Sequence, residues 1–133
     1  MTDIITASVK ALYARLDSEL TTPVVSNVTE GSVFPYSVIE GFASNRAALK
    51  GGVMWDMTWT VHSFSAVAGM SEIATIMGQI FDAVEDYAFD LTDDGYCCDM
   101  ARAEAQELYI EDYDNGVPIR HGETKIHLIA TRL

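Results

Sequence analysis

The sequence predicts an α+β fold: an antiparallel sheet of about 4–5 strands with two helices packed on one face. Three stretches carry that prediction. In the first, Val53, Trp55, Met57, Trp59 and Val61 alternate with Asp56, Thr58, Thr60 and His62, the period of a half-buried strand. In the second, Ile73, Ile76, Met77, Ile80, Phe81, Val84 and Tyr87 recur with period 3.6, the apolar stripe of a helix. In the third, Asp114-Asn115-Gly116 separates two further strand-like runs, and Asn-Gly is a strong hairpin signal. Together they describe a long strand that turns at Gly69 into a helix able to fold back over the strand's apolar side.

The remaining elements come in chain order. Thr2 or Asp3 caps a first helix whose stripe is Ile5, Val9, Leu12, Leu16 and Leu20, and Pro23 ends it. Val24 to Val28 is a short strand candidate, and Glu30-Gly31-Ser32 a turn or loop. Phe34 to Phe42 reads as the next strand, with Pro35 confined to its start or to an edge. Ser44 to Gly52 is expected as a loop carrying Arg46 and Lys50, with Gly51-Gly52 letting it bend. In the second helix Ser71 is the expected N-cap and Glu72 suits the first turn. Six of its apolar side chains would contribute ~1.5–3 kcal/mol each, gross, on burial.

Asp93-Asp94-Gly95 marks a turn. The stretch after it is ambiguous, because Met100 to Leu108 has helix-favouring composition. The Asn-Gly turn demands a strand before it, so a strand is expected from about Tyr96 to Tyr113. The last strand runs from about Val117 to Thr131, with Ile126, Leu128 and Ala130 on one side and Gly122 at a bulge or kink.

A chain of 133 residues with 49% apolar residues suits one domain, spanning 1–133, with a real core. The only cysteines, Cys97 and Cys98, are adjacent and cannot staple distant parts of the chain. No signal peptide is visible, and no apolar run approaches a bilayer span. A soluble protein made in the cytoplasm, without membrane partners, is the expectation. Acids outnumber bases 20 to 8, for a net charge of −12. Such a surface repels DNA rather than binding it broadly.

The sequence offers no catalytic, cofactor or metal residues. His62, His121 and His127 share no ligand spacing and read as exposed strand histidines. Cys97 and Cys98 would project to opposite faces, without a base beside them. Counted from Asp112, a calcium loop would need Asp or Asn at the position of Gly116, so a hairpin explains Asp112 to Gly116 better. Asp82, Glu85, Asp86 and Asp90 read as a solvated helix face, and the Trp and Tyr residues read as core strand positions rather than a stacking platform for bases.

The order of these pieces resembles a family. Val9 to Leu16 on a helix, Phe34-Pro-Tyr-Ser-Val-Ile-Glu-Gly41 on a strand, and Trp59-Thr-Val-His-Ser-Phe64 before a glycine and the helix Glu72 to Val84 are similar to the tail terminator (tail completion) proteins of long-tailed bacteriophages. The turn Asp112 to Gly116 before the last strand completes the match, which departs at the Ala-rich stretch Ala101–Ala105. The resemblance implies a structural assembly protein of the virion tail, not an enzyme. It implies a homo-hexameric ring, built in the host cytoplasm, that caps the head-proximal end of the tail tube. Such a ring stops tube polymerisation and offers a surface for joining the head. The implied partners are the tail tube protein and a head completion protein, and DNA passes through the bore without specific binding. Another head–tail joining or tail-tube component is the near alternative, and a small ligand-binding or enzymatic domain the distant one.

A ring needs a head-to-tail interface that closes. An open sheet edge and the stretch Ser44–Gly52 are the expected sources. Arg46 and Lys50 are the candidate interface residues, facing an acidic surface of a neighbouring subunit or of the tube protein.

Overall fold

A computed structural model describes residues 2–27, 33–50, 52–112 and 116–133. Its elements are α1 (Ile4–Glu19), β1 (Val24–Val25), β2 (Tyr36–Leu49), β3 (Gly52–Ser65), α2 (Ser71–Val84), a 3-10 turn (Thr92–Asp94), β4 (Tyr96–Asp112) and β5 (Pro118–Arg132). The sheet order is β1-β2-β3-β5-β4. Four of the strands form an antiparallel set, and both helices lie over one face of it, burying one shared core. The expected α+β architecture is therefore present, with one correction. β1 pairs parallel to β2, Val24 opposite Ser37 and Val25 opposite Val38.

In β3 the alternation holds. Met57, Trp59 and Val61 are buried on the helix side, where they meet Leu128, Ile126 and Thr124 of β5. Ile73, Ile76, Met77, Ile80 and Val84 of α2 close over them. Phe81 and Tyr87 belong to the same stripe by sequence, but they are 40% and 37% exposed. Ala83 takes the buried place instead. Tyr87 lies past the end of α2, where the Arg15 guanidinium stacks on its ring at 3.7 Å and Arg15 Nε donates to the Ala83 carbonyl.

In α1, Asp3 is the N-cap and its carboxylate accepts from the Thr6 amide. The buried face is Ile4, Ala7, Ser8, Leu12 and Leu16, while Ile5 is 48% exposed. The stripe expected from the large residues is thus rotated, and the reason is a buried polar contact. The Trp59 indole N–H, inside the core, donates to Ser8 Oγ at 3.0 Å, and the small Ala7 and Ser8 let the helix approach. Ser8→Ala would leave that indole N–H without a partner and is expected to cost about 1–3 kcal/mol. Urea melts of Ser8→Ala beside Ser8→Thr check this, since the threonine keeps an acceptor.

Other expectations need correction. The N-cap of α2 is Met70, not Ser71, and makes no side-chain cap bond. Glu72 instead accepts from Ser65 Oγ at 2.7 Å, tying the start of α2 to the end of β3. Ser44 to Lys50 is not a loop, since β2 continues to Leu49 and pairs with β3 throughout. The strand extends because its register stays in step after an irregularity between Ile39 and Phe42. Gly41 sits there with φ 103°, and a Cβ would lie 3.3 Å from Thr60. Met100 to Leu108 is strand, with irregularities at Cys98/Met100 and Ala103/Ala105.

Gly122 is no bulge, for it pairs regularly with Ser63 and Leu108. Its glycine serves packing, since a Cβ there would lie 2.5 Å from Met77 Sδ, so α2 crosses the sheet at that point. The loop Glu30–Ser32, the end of the first short strand at Val28, Gly51 and Asp114-Asn115 lie outside the described residues. β4 and β5 nonetheless pair as a hairpin down to Asp112 opposite Pro118.

Candidate assembly surfaces

Arg46 lies in the exposed part of β2, opposite Trp55 of β3, and Lys50 follows at the end of the strand. Both are exposed, and neither joins an ion pair among the described residues. From Phe42 to Lys50 there are two bases and no acid. The structure thus brings the two predicted residues onto one hairpin, as strand and strand end rather than as a mobile loop.

The strands beside this hairpin are unevenly covered. β1 pairs with β2 only at Ser37 and Val38, so among the described residues no strand pairs with the far side of β2 from Ile39 onward. The cover missing there leaves a groove of about 360 Å3 between α1 and β2, lined by Val9, Lys10, Tyr13, Val25, Ser26 and Ile39. At the other end of the sheet β4 has β5 as its one strand neighbour. The chain leaving α2 covers part of its free side, since the Asp86 amide donates to the Ala101 carbonyl at 3.0 Å. Past that point the edge has no further strand partner among the described residues. A shallow hollow lies against it, lined by Glu85, Arg102, Ala103, Glu104 and His127. Further along, Ile110 is 52% exposed. Long open edges are sites for pairing with another chain.

The sheet face turned away from the helices is polar with an aromatic end. His121 Nε2 and His62 Nδ1 are 2.8 Å apart, and Glu111 lies 2.9 Å from His121 Nδ1. His121 is stacked on Phe64 and packed by Tyr109, and it is only 7% exposed. The expectation of an exposed histidine fails here, because the rings of neighbouring strands close over it. His127 bonds Asp56. Sequence spacing could not find these pairs, because each links residues on different strands.

Among the described residues no group of three or more His, Cys, Asp or Glu side chains is arranged to hold a metal ion. Burial pushes the Cys98 thiol up from its ordinary range, which favours the inert protonated form over a thiolate nucleophile.

The family model described as Tail completion protein gp17 matches residues 6–117. This chain belongs to the tail completion protein gp17 family. A chain in the structure titled "Virion of native gene transfer agent (GTA) particle" has the same fold, with TM-score 0.77 over 98% of this chain and 99% of that one, at 13% identity. No curated protein matches the chain in sequence. As a tail completion protein the chain is a structural component of the phage tail in the virion, not an enzyme. Its surfaces work by meeting other tail and head proteins.

Proposed function

We propose that this tail completion protein, acting as one domain over residues 1–133, forms a six-membered ring on the head-proximal end of the finished tail tube. The ring stops addition of tube protein and offers the surface on which a head completion protein docks. The observation that supports it most is the pair of open edges on opposite sides of one sheet. An interface made of two different surfaces is heterologous, and heterologous contacts make rings when the rotation between copies closes. Arg46 and Lys50 are the interface charges in this reading.

The charge supports the bore. Six copies at −12 each carry −72 formal charges, which repel phosphate and let DNA pass without sticking. The test is negative-stain microscopy of lysates from the parent phage with this gene inactivated. Overlong, unjoined tubes beside DNA-filled heads are expected. Tubes of normal length that fail to join heads would replace the terminator reading with a joining role, and normal infectious particles would overturn both.

A further inference from the structure

The connection between β3 and α2 carries exposed apolar side chains that the core does not use. Resting on the ring reading, we propose that this loop, the hollow beside it and Arg120 form the surface that seats the ring on the end of the tail tube. The occupant is a segment of the tube protein that carries a carboxylate beside an apolar side chain.

Turns and loops are usually built from Gly, Pro, Asn, Asp and Ser. Here Ala66, Val67, Ala68, Gly69 and Met70 follow one another without a polar side chain, and all five are exposed. Val67 is 51% exposed and Met70 44%. The loop is nevertheless fixed at its root. Ser65 Oγ accepts from the Val67 amide at 3.3 Å and donates to Glu72 at 2.7 Å. Neighbouring apolar side chains held out to solvent in this way mark an interaction site.

Two polar groups around this loop lack partners among the described residues. Val67 lines a hollow of about 350 Å3 with Thr22, Glu72, Thr75 and Ile76, and Thr22 Oγ1 is buried without a hydrogen bond. Arg120 stands opposite Ser65 of β3 and Ile110 of β4. Its Nε is buried without a hydrogen bond. Arg120 also joins no ion pair among the described residues, although acids outnumber bases 20 to 8 in the chain. A buried polar group without a partner costs stability, and a guanidinium takes a carboxylate in two parallel bonds. The missing partner of Arg120 is therefore a carboxylate, which the occupant supplies.

The tube is the partner that this chemistry fits. The ring must hold against further addition of tube protein, so the contact is permanent, and permanent interfaces are the more hydrophobic ones. A head docks as a finished particle, an encounter that complementary charge steers, and the uncharged run from Ala66 to Met70 gives no steering. The far end of β2 and β3 carries Arg46 and Lys50 instead. The two ends of the subunit thus offer different chemistry to different partners.

The test supplies variant chains in the parent phage in place of the native one and reads tail length by negative-stain microscopy. Val67→Asp, on an exposed loop, is expected to keep the native melting curve yet leave tubes overlong, as loss of the gene does. Arg120→Glu is expected to do the same. Second-site changes that restore its plaques are expected to replace an acid by Lys or Arg in the tube protein. Should Arg120→Glu melt low, Val67→Asp and its restoring changes decide alone. Tails of normal length that stay unjoined would overturn the assignment, since this end would then meet the head. Restoring changes within this chain would overturn it in favour of a contact between copies, and normal infectious particles from Val67→Asp would remove the surface altogether. Tubes of normal length when the gene itself is inactivated would overturn the ring reading instead.

Discussion

Ile80→Ala is expected to lower the stability of this protein by about 2–5 kcal/mol, the largest effect of any single truncation proposed. Ile80 is fully buried on the face of α2 that closes the core. It packs in one cluster with Met57, Trp59 and Val61 of β3 and Ile126 of β5. Removing three carbons there loses their transfer free energy and leaves a cavity, because a sheet held by long antiparallel pairing cannot collapse into the gap. A domain of this size has only ~5–15 kcal/mol in total, so the variant should melt roughly 10 °C lower or more. Urea denaturation of purified Ile80→Ala beside Phe81→Ala is the check. Phe81 lies next in sequence but is 40% exposed, so its truncation should cost well under half as much. Equal losses would mean that α2 is rotated from the position described.

Gly122→Val is the second large effect, expected at about 3 kcal/mol, with Gly122→Ala at ~1–3 kcal/mol. A Cβ at 122 would meet Met77 Sδ at 2.5 Å and Cγ at 3.1 Å. Met77 is itself buried, so it cannot swing into water, and either α2 lifts from the sheet or β5 bends. The contact predicts coupling. Met77→Ala alone should destabilise by leaving a gap, yet in the Gly122→Ala background it should cost markedly less, because the new methyl fills part of that gap. Additive losses in a double-mutant cycle would show that α2 does not cross the sheet at Gly122.

The elements were legible because their signals are local. Alternation in Val53–Val61 and the 3.6 period in Ile73–Val84 depend on chain geometry alone, and they gave the long strand, the second helix and the side that each buries. The Ala-rich stretch of β4 reads as helix by propensity, and what makes it a strand is its pairing with β5, a tertiary contact that overrides propensity. The family was readable from the order and spacing of weakly specific pieces, and the family match over residues 6–117 bears it out.

The candidate surfaces were legible only in part. Arg46 and Lys50 stood out as bases in an acidic chain, but the sequence put them on a loop. Nothing in Ser44–Leu49 shows by itself that β3 offers a partner for its whole length. The rotation of α1 toward Ala7 and Ser8 was hidden for a similar reason. Large residues dominate a hydrophobic stripe, whereas the decisive contact is one hydroxyl meeting one indole 51 positions away. The buried His121 was hidden too, because the rings that cover it come from other strands.

By itself, then, the sequence determined the type and order of the main elements, the apolar sides of β3 and α2, the acidic character and the family, all set by short-range periodicity and composition. Tertiary structure alone decided the parallel edge strand, the extension of β2, the tight crossing at Gly122 and the two uncovered edges. Those depend on which strands lie side by side and how far each neighbour reaches, and a strand's own residues specify a face to bury without specifying the length over which a partner will cover its edge.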